Sequence, residues 1–154
     1  MAKTKAALRA LSIQFQERRV TKTYVGAVAG VPDVEGVIDE AIGKILTPEG
    51  HHRVALLSEA AGGRAATTAY RVLDTAEHSA LLELAPRTGR AHQLRVHLAS
   101  IGHPLLGDAL HGGASHERLC LHSARLVFEH PSTRVPVSFA SVAPFDATGA
   151  SPPG

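Results

Sequence analysis

The chain has 154 residues, 44% of them hydrophobic and 19% charged, with a formal net charge of +2, which fits one domain with a real core. No apolar run approaches the roughly 20 residues of a bilayer span, and the N-terminal "MAKTKAALRA" lacks the apolar segment of a secretory signal, so a cytoplasmic chain is expected. Cys120 is the single cysteine; it cannot form an internal disulfide and reads as a small buried hydrophobe, which argues against redox chemistry.

Residues 3–18 place Ala7, Leu8, Leu11 and Phe15 at helical spacing, which predicts an amphipathic helix with no visible N-cap. The first 30 residues hold six basic residues against Glu17 alone, a surplus of five, whereas the remainder holds ten basic and thirteen acidic residues. Such a cationic end suits a polyanion such as RNA and equally suits a solvated helix face. "TKTYVGAVAG", Thr21 to Gly30, reads as a strand ending in a turn. The Pro- and Gly-rich stretch 31–64 reads as loops with short strands. "ATTAYRVLD" and "HSALLELA" predict an antiparallel hairpin turning at Thr75 to Glu77. A helix is expected from about Ala91 to Ile101, with Leu94, Leu98 and Ile101 turned to the core and Gly102 as its stop. Strands near 119–129 and 135–141 follow, and 146–154, "DATGASPPG", reads as a disordered tail. The fold class expected is α+β, a mixed, mainly antiparallel sheet with flanking helices.

The stretch "RTGRAHQLRVHLASIGHPLLGD", residues 87–108, crowds arginines and histidines around an apolar stripe. On a helix starting near Ala91, His92, Arg95 and Ala99 share a face, and Arg90 sits just before it. A guanidinium anchored near a helix N-terminus suits a carboxylate or phosphate, through two parallel charge-assisted hydrogen bonds. That anion is either a ligand or the partner of a structural salt bridge. Ten histidines raise the question of a metal, but His92 and His97 are five apart, and no H-E-x-x-H, C-x-x-C or compact His/Asp cluster occurs. No G-x-S-x-G elbow and no phosphate-cradling glycine loop occurs either.

The same stretch resembles the pattern G-R-T-H-Q-I-R-V-H-L-A-x-x-G-H-P-I-x-G-D of the RluA-type RNA pseudouridine synthases. "FQERRVTKTYVGAVAG" is similar to their Q-F-x-x-R-x-V-x-K-x-Y-x-A-x-V-x-G, and "RLCLHSARLVFEHP" to their R-x-x-L-H-A-x-x-L-x-F-x-H-P. Three motifs in order cover about residues 15–145. The resemblance implies isomerisation of uridine to pseudouridine in rRNA or tRNA without metal or organic cofactor: the base is flipped out, detached from ribose C1′ and rejoined through C5. It implies that Tyr24 stacks on the target base and takes part in proton removal from C5, and that Arg95 pairs with and orients the catalytic aspartate. Arg90, His92, Gln93, Lys22, Arg18 and Arg19 are the expected RNA-binding residues.

The family's aspartate lies in an H-R-L-D-x-x-T-S-G motif, followed by L-L-x-x-A-K-T and a basic helix. This sequence begins "MAKTKAALRALSIQFQERR" and does not contain that motif; Asp108 matches the G-H-P-I-x-G-D aspartate instead. Residues 1–145 therefore read as a pseudouridine synthase catalytic domain lacking its N-terminal part. Arg95 is expected to be left without its acid and the site to be solvated, with a sheet edge and apolar surface exposed. Three readings follow: an enzyme whose start lies upstream or whose gene is truncated, a non-catalytic RNA-binding module, or a nonfunctional remnant or one half of a split enzyme completed by an N-terminal half.

Overall fold

The computed structural model describes residues 2–151. Helix α1 spans Lys5–Gln16 and does have an N-cap: the Thr4 hydroxyl accepts from the Ala7 N–H at 3.1 Å. Eight strands follow, β1 Thr21–Ala29, β2 Glu35–Asp39, β3 Ile42–Leu46, β4 His52–Leu56, β5 Thr67–Ala76, β6 Ser79–Pro86, β7 Leu121–Glu129 and β8 Pro136–Ala140, with helix α2, Gln93–Ser100, between β6 and β7. Six strands form one antiparallel sheet in the order β2-β5-β6-β1-β7-β8, and β3 and β4 form a separate hairpin. The α+β class is as expected. No helix among the described residues is long and apolar enough to cross a membrane.

Strand alternation sorts the core onto the two sheet faces. On one face Val28, Ala80, Leu82 and Leu84 pack against Leu94 and Leu98 of α2 and against Leu105, with Tyr24, Tyr70 and Leu121 at the margin. On the other, Ala27 meets Leu106, Cys120 and Phe145. Cys120 is fully buried, which keeps its thiol above the usual range. The segment after α2 runs along the end of β1, with a bridge between Val28 and Leu105. It then turns at Gly107, whose φ of +78° and lack of a Cβ are both needed, since a Cβ there would overlap the Arg118 carbonyl. That turn delivers Asp108 beneath α2.

Three expectations are corrected. Helix α2 starts at Gln93 because His92 takes a left-handed backbone conformation, φ 52°, and Ile101 lies beyond its end, 36% exposed. The burial is also wider than the Leu94–Leu98 stripe, for Gln93, Val96 and His97 are buried too. The start of the expected tail is ordered: Ala147 is buried and Asp146 caps a turn with the Thr148 N–H and hydroxyl, just after Phe145 enters the second core. Residues 152–154 lie outside the described residues. On α1, Leu8 is 58% and Phe15 50% exposed.

Candidate active site

The site is a cleft of about 270 Å³ whose lining includes Lys22, Tyr24, Gly89, Arg90, Arg95 and Leu121. Lys22 and Tyr24 are two residues apart on β1 and therefore share its α2-facing side. A β-bulge opposite Thr23 and Tyr24 leaves Ala124 of β7 unmatched and re-aims this part of the strand. Arg95 reaches the cleft from the first turn of α2. The rim continues into a larger groove of about 650 Å³, lined in part by Phe15, Arg18, Lys22, Arg87, Thr88 and Arg90. Among the described residues no carboxylate lines either cavity.

Arg95 is not unpaired. Its Nε donates to Asp108 Oδ2 at 2.8 Å and its Nη2 to Asp108 Oδ1 at 2.6 Å, a bidentate pair. The expectation of an arginine without an acid is overturned, since the turn at Gly107 brings a carboxylate thirteen residues downstream under the helix. Of the two anions that the sequence left open, this one is a structural salt-bridge partner. Asp108 is also held by His111, whose Nδ1 lies 3.0 and 3.1 Å from the two carboxylate oxygens. Burial alone would push the Asp108 carboxyl up; hydrogen bonds from Arg95 and His111 outweigh it and hold the group at about 2. The Arg95 guanidinium is raised in turn, by its hydrogen bonds to Asp108 first. His92, the N-cap of α2, meets the His111 ring edge-on at 5.8 Å between centroids. Partial burial, then the Arg95 charge and His111, lower the His92 imidazole below its ordinary value, against the opposing pull of Asp108.

Gln93 does not face a ligand with its amide. It is 4% exposed, and both ends of the amide are committed to the protein. Its Oε1 accepts from the Thr88 hydroxyl at 2.7 Å and the Arg90 N–H at 3.0 Å, while its Nε2 donates to Thr67 O and Thr68 Oγ1. The chain of bonds continues to His97, whose Nε2–H must donate to the Glu40 carbonyl at 2.9 Å, so that Nδ1 accepts from the Thr68 hydroxyl at 2.9 Å. Gln93 thus shapes the 87–90 loop of the cleft from behind. Gln93 belongs to the cleft lining, but every amide hydrogen and the carbonyl oxygen are already used within the protein.

The remaining predicted residues divide. Lys22 lines both cavities, its Nζ 6.0 Å from the Phe15 ring centroid. Arg18 lines the larger groove with a positive φ of 58°. Arg90 lines both cavities, with its Nε donating to the Ala65 carbonyl at 3.1 Å. Arg19 is turned aside: it pairs with Glu17 at 2.7 Å and Glu129 at 3.1 Å and lines neither cavity, because these two carboxylates claim its guanidinium. Sequence reasoning did not single out Arg87, Thr88 or His111. The position of His111 three residues after an aspartate that follows Gly107 is the only local signal for its part in the site.

Fold and site together define an α+β domain with a cationic cleft floored by a tyrosine and an ion-paired arginine. The pattern of the RNA pseudouridylate synthase family matches residues 1–100, and the chain belongs to that family. It is 38% identical over 151 residues to the dual-specificity RNA pseudouridine synthase RluA of Escherichia coli, covering 94% of this chain and 67% of that protein. It is 39% identical over 150 residues to an uncharacterized RNA pseudouridine synthase of Chloroflexus aurantiacus, covering 95% of this chain and 46% of that one. Among solved structures, human RNA Pseudouridylate Synthase Domain Containing 1 superposes with a TM-score of 0.82 at 30% identity, covering 96% of this chain and 64% of that one. The chain spans about half the length of the first curated relatives it matches.

Proposed function

We propose that these residues form the base-holding wall of an RNA pseudouridine synthase. Uridine in an rRNA or tRNA is the substrate, and the reaction detaches the base from C1′ and rejoins it through C5. Tyr24 offers its ring to the extruded base, and base–aromatic stacking of this kind contributes about 1–3 kcal/mol. Arg95 orients the carboxylate of the attacking aspartate, and Lys22, Arg18 and Arg90 meet the phosphates, with His92 at the margin of the cleft. The aspartate of the H-R-L-D motif is not among these 154 residues. It comes from further sequence, joined to this chain or carried by an N-terminal half on another, and the reaction belongs in the cytoplasm with its RNA. The chemistry requires no metal or organic cofactor.

The observation that carries this reading is the convergence of Tyr24, Lys22 and Arg95 on one cleft without a carboxylate in its lining. The test is twofold. Purified chain is titrated with structured RNA at rising salt, and the chain extended by a segment bearing the H-R-L-D motif is assayed for pseudouridine by mass spectrometry of RNA digests. Salt-dependent binding and product from the extended chain are expected. Binding without product would favour a non-catalytic RNA-binding module, and absence of binding even at low salt would sink both.

A further inference from the structure

Arg95 enters the cleft with only part of its guanidinium free. Nε and Nη2 donate to Asp108, while Nη1 has no hydrogen bond among the described residues, and the side chain is 18% exposed. An arginine side chain carries four rotatable bonds and, tethered at one point, samples several rotamers. A bidentate carboxylate fixes the plane of the fork as well as its place.

Asp108 is itself held. It is 1% exposed, its backbone N–H donates to the Leu105 carbonyl, and its own carbonyl accepts from the His111 and Gly113 N–H groups. The His111 Nδ1–H is shared between the two carboxylate oxygens. The ring's Nε2 is buried and has no hydrogen-bond partner among the described residues. A buried orphan of this kind costs stability, and a leucine would fill similar space without it. Packing alone therefore does not account for a histidine at position 111; its contact with Asp108 does.

We propose that Asp108 and His111 are positioning residues acting through Arg95. They lock the guanidinium plane so that the Nη1 edge is presented to an oxyanion in the cleft. Naming that oxyanion as the nucleophilic carboxylate rests on the function proposed above; the locking itself does not. Neither residue touches substrate.

The test reads Arg95 directly. In a ¹⁵N–¹H spectrum of arginine side chains, the signal missing from Arg95→Lys identifies the Arg95 Nε–H, which is expected to exchange slowly with water. Asp108→Asn abolishes the slow exchange. His111→Leu speeds it about tenfold, the effect of losing one charge-assisted hydrogen bond. His111→Asn keeps an N–H at the Nδ1 position and restores the slow exchange, a rescue that simple space-filling would not produce. Asp108→Asn is the variant most prone to misfold, and the two His111 variants decide the matter without it. In the extended chain, His111→Leu is expected to lower kcat about tenfold with KM for RNA unchanged, because the guanidinium is lost to orientation and not to binding. An Arg95 signal that exchanges equally slowly in His111→Leu and in the unsubstituted chain overturns the proposal. An extended chain that makes no pseudouridine while the exchange differences persist overturns only the identity of the oxyanion.

Discussion

The two helices of this protein are anchored in opposite ways. Helix α1 has the amphipathic pattern that announces a helix, yet Leu8, Ile13 and Phe15 are exposed and its one buried residue is polar. That residue, Gln14, clasps the backbone of Glu129 on β7, its Oε1 accepting from the N–H at 2.9 Å and its Nε2 donating to the carbonyl at 2.8 Å. Helix α2 has little amphipathic contrast, because polar Gln93 and His97 are buried alongside Leu94, Val96 and Leu98. What separates them is where polar side chains find partners. Gln93 and His97 of α2 are satisfied by a network running through the sheet, whereas the buried polar side chain of α1 is a single amide.

The sharpest way to break this contrast is at Asp108. Asp108→Ala leaves Arg95 without its carboxylate and is expected to destabilise the protein by about 3–5 kcal/mol in urea unfolding. A loss under about 1 kcal/mol would mean that the pair is not formed in solution. Next, Gln93→Ala removes four hydrogen bonds at a buried site and should cost about 3 kcal/mol. Gln14→Ala removes two and should cost about 2 kcal/mol, read in the same experiment.

The network also carries a pH signature. Burial lowers the His97 imidazole below its ordinary value, outweighing the raising pull of the Glu40 carbonyl and the nearby acidic side chains. A group whose folded pKa is depressed contributes stability that is full above the unfolded value of about 6.5 and is lost as pH falls below it. Urea midpoints should therefore fall between pH 7.5 and pH 5.5, and His97→Gln should flatten that slope; His92 adds a change of the same sign. The smallest effect belongs to α1, where Leu8→Gln, at an exposed position, should change stability by under about 0.5 kcal/mol. A cost above about 2 kcal/mol there would show that its apolar face is covered in solution.

Local patterns carried much of the architecture. The β-branched and aromatic run of β1, the β5–β6 hairpin and strands β7 and β8 lie within a residue or two of where alternation puts them. The 31–64 stretch reads as loops with short strands and has them, but without bounds, since the five-residue strands β2, β3 and β4 between glycines and prolines are too short for periodicity to delimit. In the cleft, Tyr24 and Arg95 carry their own signal through motif spacing. Asp108 did not, because its pairing depends on a chain reversal at Gly107 that no sequence period encodes. The burial of Gln93 was hidden for a related reason: a glutamine on a helix next to arginines reads as a surface residue until its four partners on β5 and the 87–90 loop are known.

The bonds from Thr67 through Thr88, Gln93, Thr68 and His97 to Glu40 all point one way. Their first member is a backbone N–H, which can only give, and their last a backbone carbonyl, which can only receive. Neither end can be reversed, and so no hydroxyl, amide or imidazole between them has a second orientation open to it. A single carbonyl on the connection between β2 and β3 thereby dictates the setting of a loop at the mouth of the cleft. Substitutions near Glu40 should accordingly be felt in how Gly89 and Arg90 are set at the cleft, although they touch neither.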